Sequence, residues 1–195
     1  MKIQVLSDEI ASRIAAGEVV ERPASVVKEL MENSLDAGAT EIFVWLEKSG
    51  TAAIRITDNG EGMTPEDLAL AVERHATSKL KEDDDLFRIA TLGFRGEALP
   101  SIGSVAKMDI SSRPVSSISG AKLSVDGGKK GEVHAAAAAL GTTIEIRDIF
   151  YNTPARRKFL KAPATELSHV CDVVNRLALA NPQVLDYFKG LKIPE

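Results

Sequence analysis

Glu29 and Asn33 lie four residues apart in PASVVKELMENSLDAG, so on a helix a carboxylate and an amide oxygen share one face, one turn apart. A carboxylate there can orient and deprotonate a water, and the amide oxygen is a hard ligand suited to Mg²⁺. A solvated helix face has the same spacing. Asp58-Asn59-Gly60-Glu61-Gly62 follows an apolar stretch and sets a carboxylate at a cleft edge, with two glycines that let backbone approach a flat ligand. Such a carboxylate can accept a hydrogen bond from an exocyclic amine such as adenine N6, while an ordinary strand-end turn explains the same residues. Gly93-Phe94-Arg95-Gly96-Glu97-Ala98-Leu99 joins two glycines to a helix start, whose N–H groups and dipole suit phosphate oxygens. No GKS or GKT follows, so it is not a Walker loop, and a glycine hinge is the other reading. Upstream, His75-Ala76-Thr77-Ser78-Lys79 offers two hydroxyls and an ammonium, or simply a polar loop. Arg156, Arg157, Lys158 and Lys161, interleaved with Phe159 and Leu160, form a basic cluster that fits nucleic-acid phosphate or a solvated helix end. The three histidines are scattered, and Cys171 reads as core filler.

Those residues need elements to hold them. Ser7 to about Ala16 predicts a short amphipathic helix ended by Gly17. Pro23 opens a longer helix to about Ala37, with Gly38 as its stop, Val26, Val27, Leu30, Met31 and Ser34 on one arc, and Glu29, Asn33 and Asp36 on its polar border. Residues 40–48 and 52–57 alternate as strands, with Ile42, Val44 and Leu46, then Ile54 and Ile56, on one face. Thr64 caps a helix to about Arg74, and residues 75–96 read as a surface loop or lid. A helix from Glu97 to about Val105 places Pro100 in its first turn. Strands are expected at 106–112, 121–125 and 142–149, with the hairpin tip DGGKKG at 126–131, and helices at 154–161 and 164–180. Ala135 to Ala139 is too featureless to carry chemistry.

The 195 residues fit one domain, with roughly 70% of the unfolded surface buried. An apolar content of 44% and a charged content of 27% exclude wholesale disorder. A net charge of −4 argues against a uniformly basic nucleic-acid binder. One cysteine forms no intramolecular disulfide, and no stretch approaches 18 uninterrupted apolar residues, so a cytosolic protein without a membrane span is expected.

In this order, Glu29 to Asn33, Asp58 to Gly62, the loop 93–99 and Gly141-Thr142-Thr143 resemble the four nucleotide-binding motifs of the GHKL ATPases, which include gyrase-type topoisomerases, a chaperone class, histidine kinases and the mismatch-repair MutL family. IAAGEVVERP (14–23), ENSLDAGA (32–39), RHATSK (74–79), GFRGEAL (93–99) and FYNTPARRKFL (150–160) narrow the likeness to the MutL family over about residues 3–184. The resemblance implies an α+β, two-layer sandwich of the Bergerat type, its mixed, mostly antiparallel sheet covered on one face by helices. It implies an ATP-binding domain over 1–184, with an N-terminal arm at 1–22, a lid at 75–96 and an atypical end at 185–195. Glu29 would be the general base and Asn33 would bind Mg²⁺ and phosphates. Asp58 would bind adenine, Gly62 would let the base approach, and Thr143 would complete the pocket. Thr77, Ser78 and Lys79 would line the lid side, with Gly93, Phe94, Arg95, Gly96, Glu97, Ala98 and Leu99 around the phosphates.

The resemblance further implies an ATP-driven switch that couples mismatch recognition to repair in a bacterial cytoplasm, associated with the nucleoid during repair. Its partners would be a mismatch-recognition protein of the MutS type and DNA, with N-terminal dimerisation on ATP binding in longer chains. Pro100 and the Ala135–Ala139 run depart from the family pattern. Family members also continue past the position of Glu195 into a subdomain supplying a phosphate-contacting lysine, so Mg-dependent ATP hydrolysis is expected to be weak or absent in this chain. The alternative is a non-hydrolysing ATP-binding interaction module.

Overall fold

Alternation along Ile42–Glu47 (β1) and Ala53–Asp58 (β2) sends every second apolar residue to one side, and five further strands extend that face. The computed structural model describes residues 16–17, 19–74, 76 and 96–184. After β2 come five more strands, Lys107–Arg113 (β3), Gly120–Asp126 (β4), Lys129–Lys130 (β5), His134–Ala136 (β6) and Gly141–Arg147 (β7). The strand order is β1-β2-β7-β3-β4-β5, with β6 also on β4. Every pairing among the described residues is antiparallel, in keeping with the mostly antiparallel sheet expected. The late strand β7 is central, pairing with both β2 and β3.

Ile42, Val44, Leu46, Ile54, Ile56, Met108, Ile110, Leu123, Ile144 and Ile146 form the buried face. Helices Pro23–Asp36 (α1), Pro65–Ala71 (α2), Ala98–Val105 (α3) and Pro163–Ala180 (α5) cover it, with the single turn Pro154–Arg157 (α4) before the last. They contribute the buried Val26, Val27, Leu30 and Met31, Leu68, Ile102 and Val105, and Val170 and Val174. The opposite face is charged. Arg55 pairs with Glu145 at 2.6 Å and lies over the Trp45 ring at 5.0 Å, while Arg147 and Lys122 both meet Asp109. Two layers, one face covered by helices, is the expected arrangement.

Several local expectations change. Gly17 is itself helical, as are Ala16 and Val19, so it is not the stop expected there; a Cβ on it would stand 1.9 Å from the Arg156 guanidinium, and glycine serves close packing. Helix α2 stops at Ala71 rather than Arg74, because Lys130 donates to the Ala69 carbonyl at 2.7 Å and pairs with Glu73 at 2.6 Å. The turn Gly127-Gly128 leads into β5, not into a strand at 142–149, and the alanine run supplies β6, two strands too short to read by period. The helix expected at 154–161 is one turn, for Phe159 beyond it finds no apolar surface and is 79% exposed. The arm before Ala16, His75, Thr77, Ser78, Lys79, Gly93, Phe94, Arg95, the acidic run 82–85 and the tail 185–195 lie outside the described residues.

Candidate nucleotide site

The end of β2 carries Asp58 to the junction of α1, β7 and the turn that follows, where it is 7% exposed. Its Oδ2 lies 2.9 Å from Ser34 Oγ, and its Oδ1 accepts the N–H of Gly60 at 2.9 Å and of Thr142 at 3.2 Å. Burial pushes the Asp58 carboxyl above its ordinary value, and the three hydrogen bonds pull against that without reversing it. A buried carboxylate edge aimed by backbone donors is a rigid acceptor.

The loop after Asp58 is pinned at both ends. Asn59 Oδ1 accepts the N–H groups of Thr40 and Glu41, both at 2.9 Å, and Glu61 N–H donates to the Ala37 carbonyl at 3.0 Å. Gly62 has φ +71, and a Cβ on it would come within 2.5 Å of the Arg113 carbonyl oxygen. Gly141 has φ +88, and its Cβ would lie 2.1 Å from the Asp58 carbonyl oxygen. Both positions therefore require glycine twice over, by conformation and by space.

Glu29 and Asn33 lie on α1 one turn apart, both half-buried, and Ser34 directly after Asn33 bonds Asp58, so the polar stripe borders the Asp58 pocket. Lys28 Nζ reaches Glu29 at 3.2 Å and the buried Glu32 at 2.8 Å. Desolvation lowers the Lys28 ammonium, but its bonds and charge contacts with Glu32 and Glu29 outweigh that and raise it. Gly96, with φ +61, packs against the backbone of Ala76: a Cβ there would stand 2.4 Å from the Ala76 oxygen. Glu97, Ala98 and Leu99 follow, half-buried at the start of α3, with Pro100 in its first turn as expected.

Thr143 is not brought to this cluster. Strand parity puts it on the opposite face of the sheet, where its Oγ1 is 3.1 Å from Thr57 Oγ1. Thr142, one residue earlier, shares the inner face with Ile144 and Ile146, and its backbone N–H donates to Asp58. The inward isoleucines were the available signal. Ser34 and the fully buried Ser112, whose Oγ accepts the Met63 N–H at 2.8 Å, were not singled out as site residues, because their partners are distant in sequence.

Residues 21–147 match the family described as histidine kinase-, DNA gyrase B-, and HSP90-like ATPase. The chain is 56% identical over 183 residues to the DNA mismatch repair protein MutL of Geobacter sulfurreducens, and 58% identical over 184 residues to that of Paramagnetospirillum magneticum. Each alignment covers 94% of this chain and 30% of the relative, so the chain spans under a third of the curated relatives it matches. Among solved structures, the Aquifex aeolicus MutL ATPase domain complexed with ADP aligns with a TM-score of 0.70 and 38% identity, over 85% of this chain and 58% of that one. The N-terminal domain of a DNA repair protein aligns with a TM-score of 0.74 and 30% identity, over 89% and 50%. Matching that family over most of its length, the chain belongs to the histidine kinase-, DNA gyrase B- and HSP90-like ATPases.

Proposed function

We propose that this chain is the ATP-binding and hydrolysing part, over residues 1–184, of a MutL-type mismatch-repair ATPase. The observation that carries the reading is Asp58: a buried carboxylate, held by Ser34, Gly60 and Thr142, beside a glycine loop and the Glu29–Asn33 stripe. Asp58 accepts the adenine N6 hydrogen bond, Gly62 gives the base room, and the Thr142 N–H holds the carboxylate. Asn33 is the protein's oxygen ligand to Mg²⁺. Its donor type fits an ion held mainly by phosphate oxygens and water, and among the described residues no three His, Cys, Asp or Glu side chains gather into a cage. Bound there, Mg²⁺ would offset phosphate charge as a Lewis acid.

Glu29 orients the attacking water and takes its proton. N–H groups from Gly96 to Leu99 meet phosphate, with Thr77, Ser78, Lys79, Gly93, Phe94 and Arg95 on the lid side. In the whole protein the switch would act with a mismatch-recognition protein of the MutS type and DNA, pairing through the arm at 1–22, in the cytoplasm. Among the described residues no helix is long and apolar enough to cross a membrane.

A second reading, binding without turnover, is favoured by the Lys28 ammonium held 3.2 Å from Glu29. Such an exposed pair is weak, worth roughly 0–1 kcal/mol, and yields readily to a bound water. Titration with a non-hydrolysable ATP analogue and steady-state turnover test both readings. Asn33→Ala should lose Mg-dependent binding, whereas Glu29→Ala should bind normally and turn over about 10²–10⁴-fold more slowly. Turnover unchanged in Glu29→Ala would remove it as the base, and no turnover in the unmutated chain would favour the second reading.

A further inference from the structure

Ser112 closes β3 on the inner face and is fully buried. A hydroxyl has one hydrogen to give and two positions that accept, and at Ser112 all three are engaged. Its Oγ accepts the Met63 N–H at 2.8 Å, lies 3.1 Å from the Gly141 carbonyl oxygen to which it donates, and is 2.9 Å from Thr142 Oγ1, which then donates to it. One side chain thus ties the glycine loop to the start of β7. Those two segments supply the two backbone donors on Asp58 Oδ1: Gly60 N–H from the loop and Thr142 N–H from β7. The loop is also seated against β3 at Gly62, beside Arg113 and Pro114.

We infer that Ser112 is a positioning residue for base recognition: without touching the nucleotide, it fixes both donors that aim Asp58 at the purine 6-position. The inference rests on the nucleotide reading above. Alanine at 112 leaves the Met63 N–H and Thr142 hydroxyl without their acceptor, frees both segments, and lets Asp58 turn from the direction in which an amine and a carbonyl are told apart. The phosphate side, built from Asn33 and Gly96 to Leu99, has no hydrogen bond to Ser112 among those described.

The test compares the 195-residue chain with Ser112→Ala and Asp58→Ala for affinity toward ATP, toward inosine triphosphate, which carries a 6-carbonyl, and toward Mg-tripolyphosphate, which has no base. Ser112→Ala should shrink the preference for ATP over inosine triphosphate by about fivefold, the factor set by one hydrogen bond of about 1 kcal/mol, with tripolyphosphate affinity unchanged. Ser112→Cys keeps the volume, bonds weakly, should behave alike, and carries the comparison if the alanine chain does not fold. A preference unchanged, or all three ligands weakened in parallel, would reduce Ser112 to ordinary structural filling and overturn the inference. If Asp58→Ala also leaves the preference unchanged, the adenine reading itself fails. Loss in Asp58→Ala without loss in Ser112→Ala sinks only the role of Ser112.

Discussion

Gly62 and Gly38 share nearly the same left-handed φ, +71 and +69, yet differ in surroundings, so alanine at each separates conformational cost from close approach. At Gly38 a Cβ meets nothing within 4 Å, and Gly38→Ala should cost only the left-handed penalty, roughly 1–2 kcal/mol. At Gly62 the same Cβ would stand 2.5 Å from the Arg113 oxygen, 2.7 Å from its carbonyl carbon and 2.8 Å from the Pro114 nitrogen. All three are backbone atoms, so no rotamer relieves the clash, and the loop must lift from β3 by about 0.9 Å to reach ordinary contact. Overpacking of that kind adds roughly 1–3 kcal/mol, and the lift pulls Met63 N–H from Ser112. Urea unfolding of both variants should therefore place Gly62→Ala about 1–3 kcal/mol below Gly38→Ala, and titration should show ATP affinity lost only in Gly62→Ala. Equal destabilisation, with ATP affinity retained in both, would refute the argument that the loop must lie against β3 for the nucleotide to enter.

Thr142→Val, which strips the hydroxyl from Ser112, should weaken ATP binding several-fold, about 1 kcal/mol, whereas Thr143→Val, on the far face with Thr57, should leave it unchanged in the same titration. Because burial raises Asp58 above its ordinary 3.8, its protonated form favours the fold. That contribution is complete below pH 3.8 and is lost as pH rises through the raised value, so Asp58→Asn should gain stability relative to the unmutated chain across that window in pH-dependent unfolding. ATP affinity should fall as pH drops through the same range, since the protonated acid is a poorer acceptor. Lys28→Met leaves the buried Glu32 without its 2.8 Å partner and should lower stability by about 1 kcal/mol by urea unfolding, with nucleotide affinity unaltered.

The parts of the site that were legible in the sequence are those fixed by local geometry. Glu29 and Asn33 share a face because a helix repeats every 3.6 residues, and Asp58 ends a strand because Ile54 and Ile56 alternate before it. Parity could have separated Thr142 from Thr143, since Ile144 and Ile146 point inward, but that requires assigning the face of a strand in which the two candidate residues are adjacent threonines. Ser34 falls on the apolar arc of α1 and is buried there; that it faces Asp58, 24 residues away, follows only from the packing of α1 on β2. Ser112 had no local signature, because each of its partners lies at least 29 residues distant in the chain. Gly17 misled for a related reason: glycine marks helix ends and close contacts alike, and Arg156, which makes the contact, is far along the chain.

Competitive titration of the unmutated chain with ATP and GTP, repeated on Asp58→Ala, tests most directly whether Asp58 is the adenine acceptor. The N6 amine of adenine donates to the carboxylate, whereas the O6 of guanine opposes it and leaves a buried group unpaired, so ATP should bind at least about tenfold more tightly. Asp58→Ala should erase that difference while remaining folded. Equal affinity for ATP and GTP in the unmutated chain, or a preference that survives Asp58→Ala, would contradict the assignment on which the nucleotide site is built.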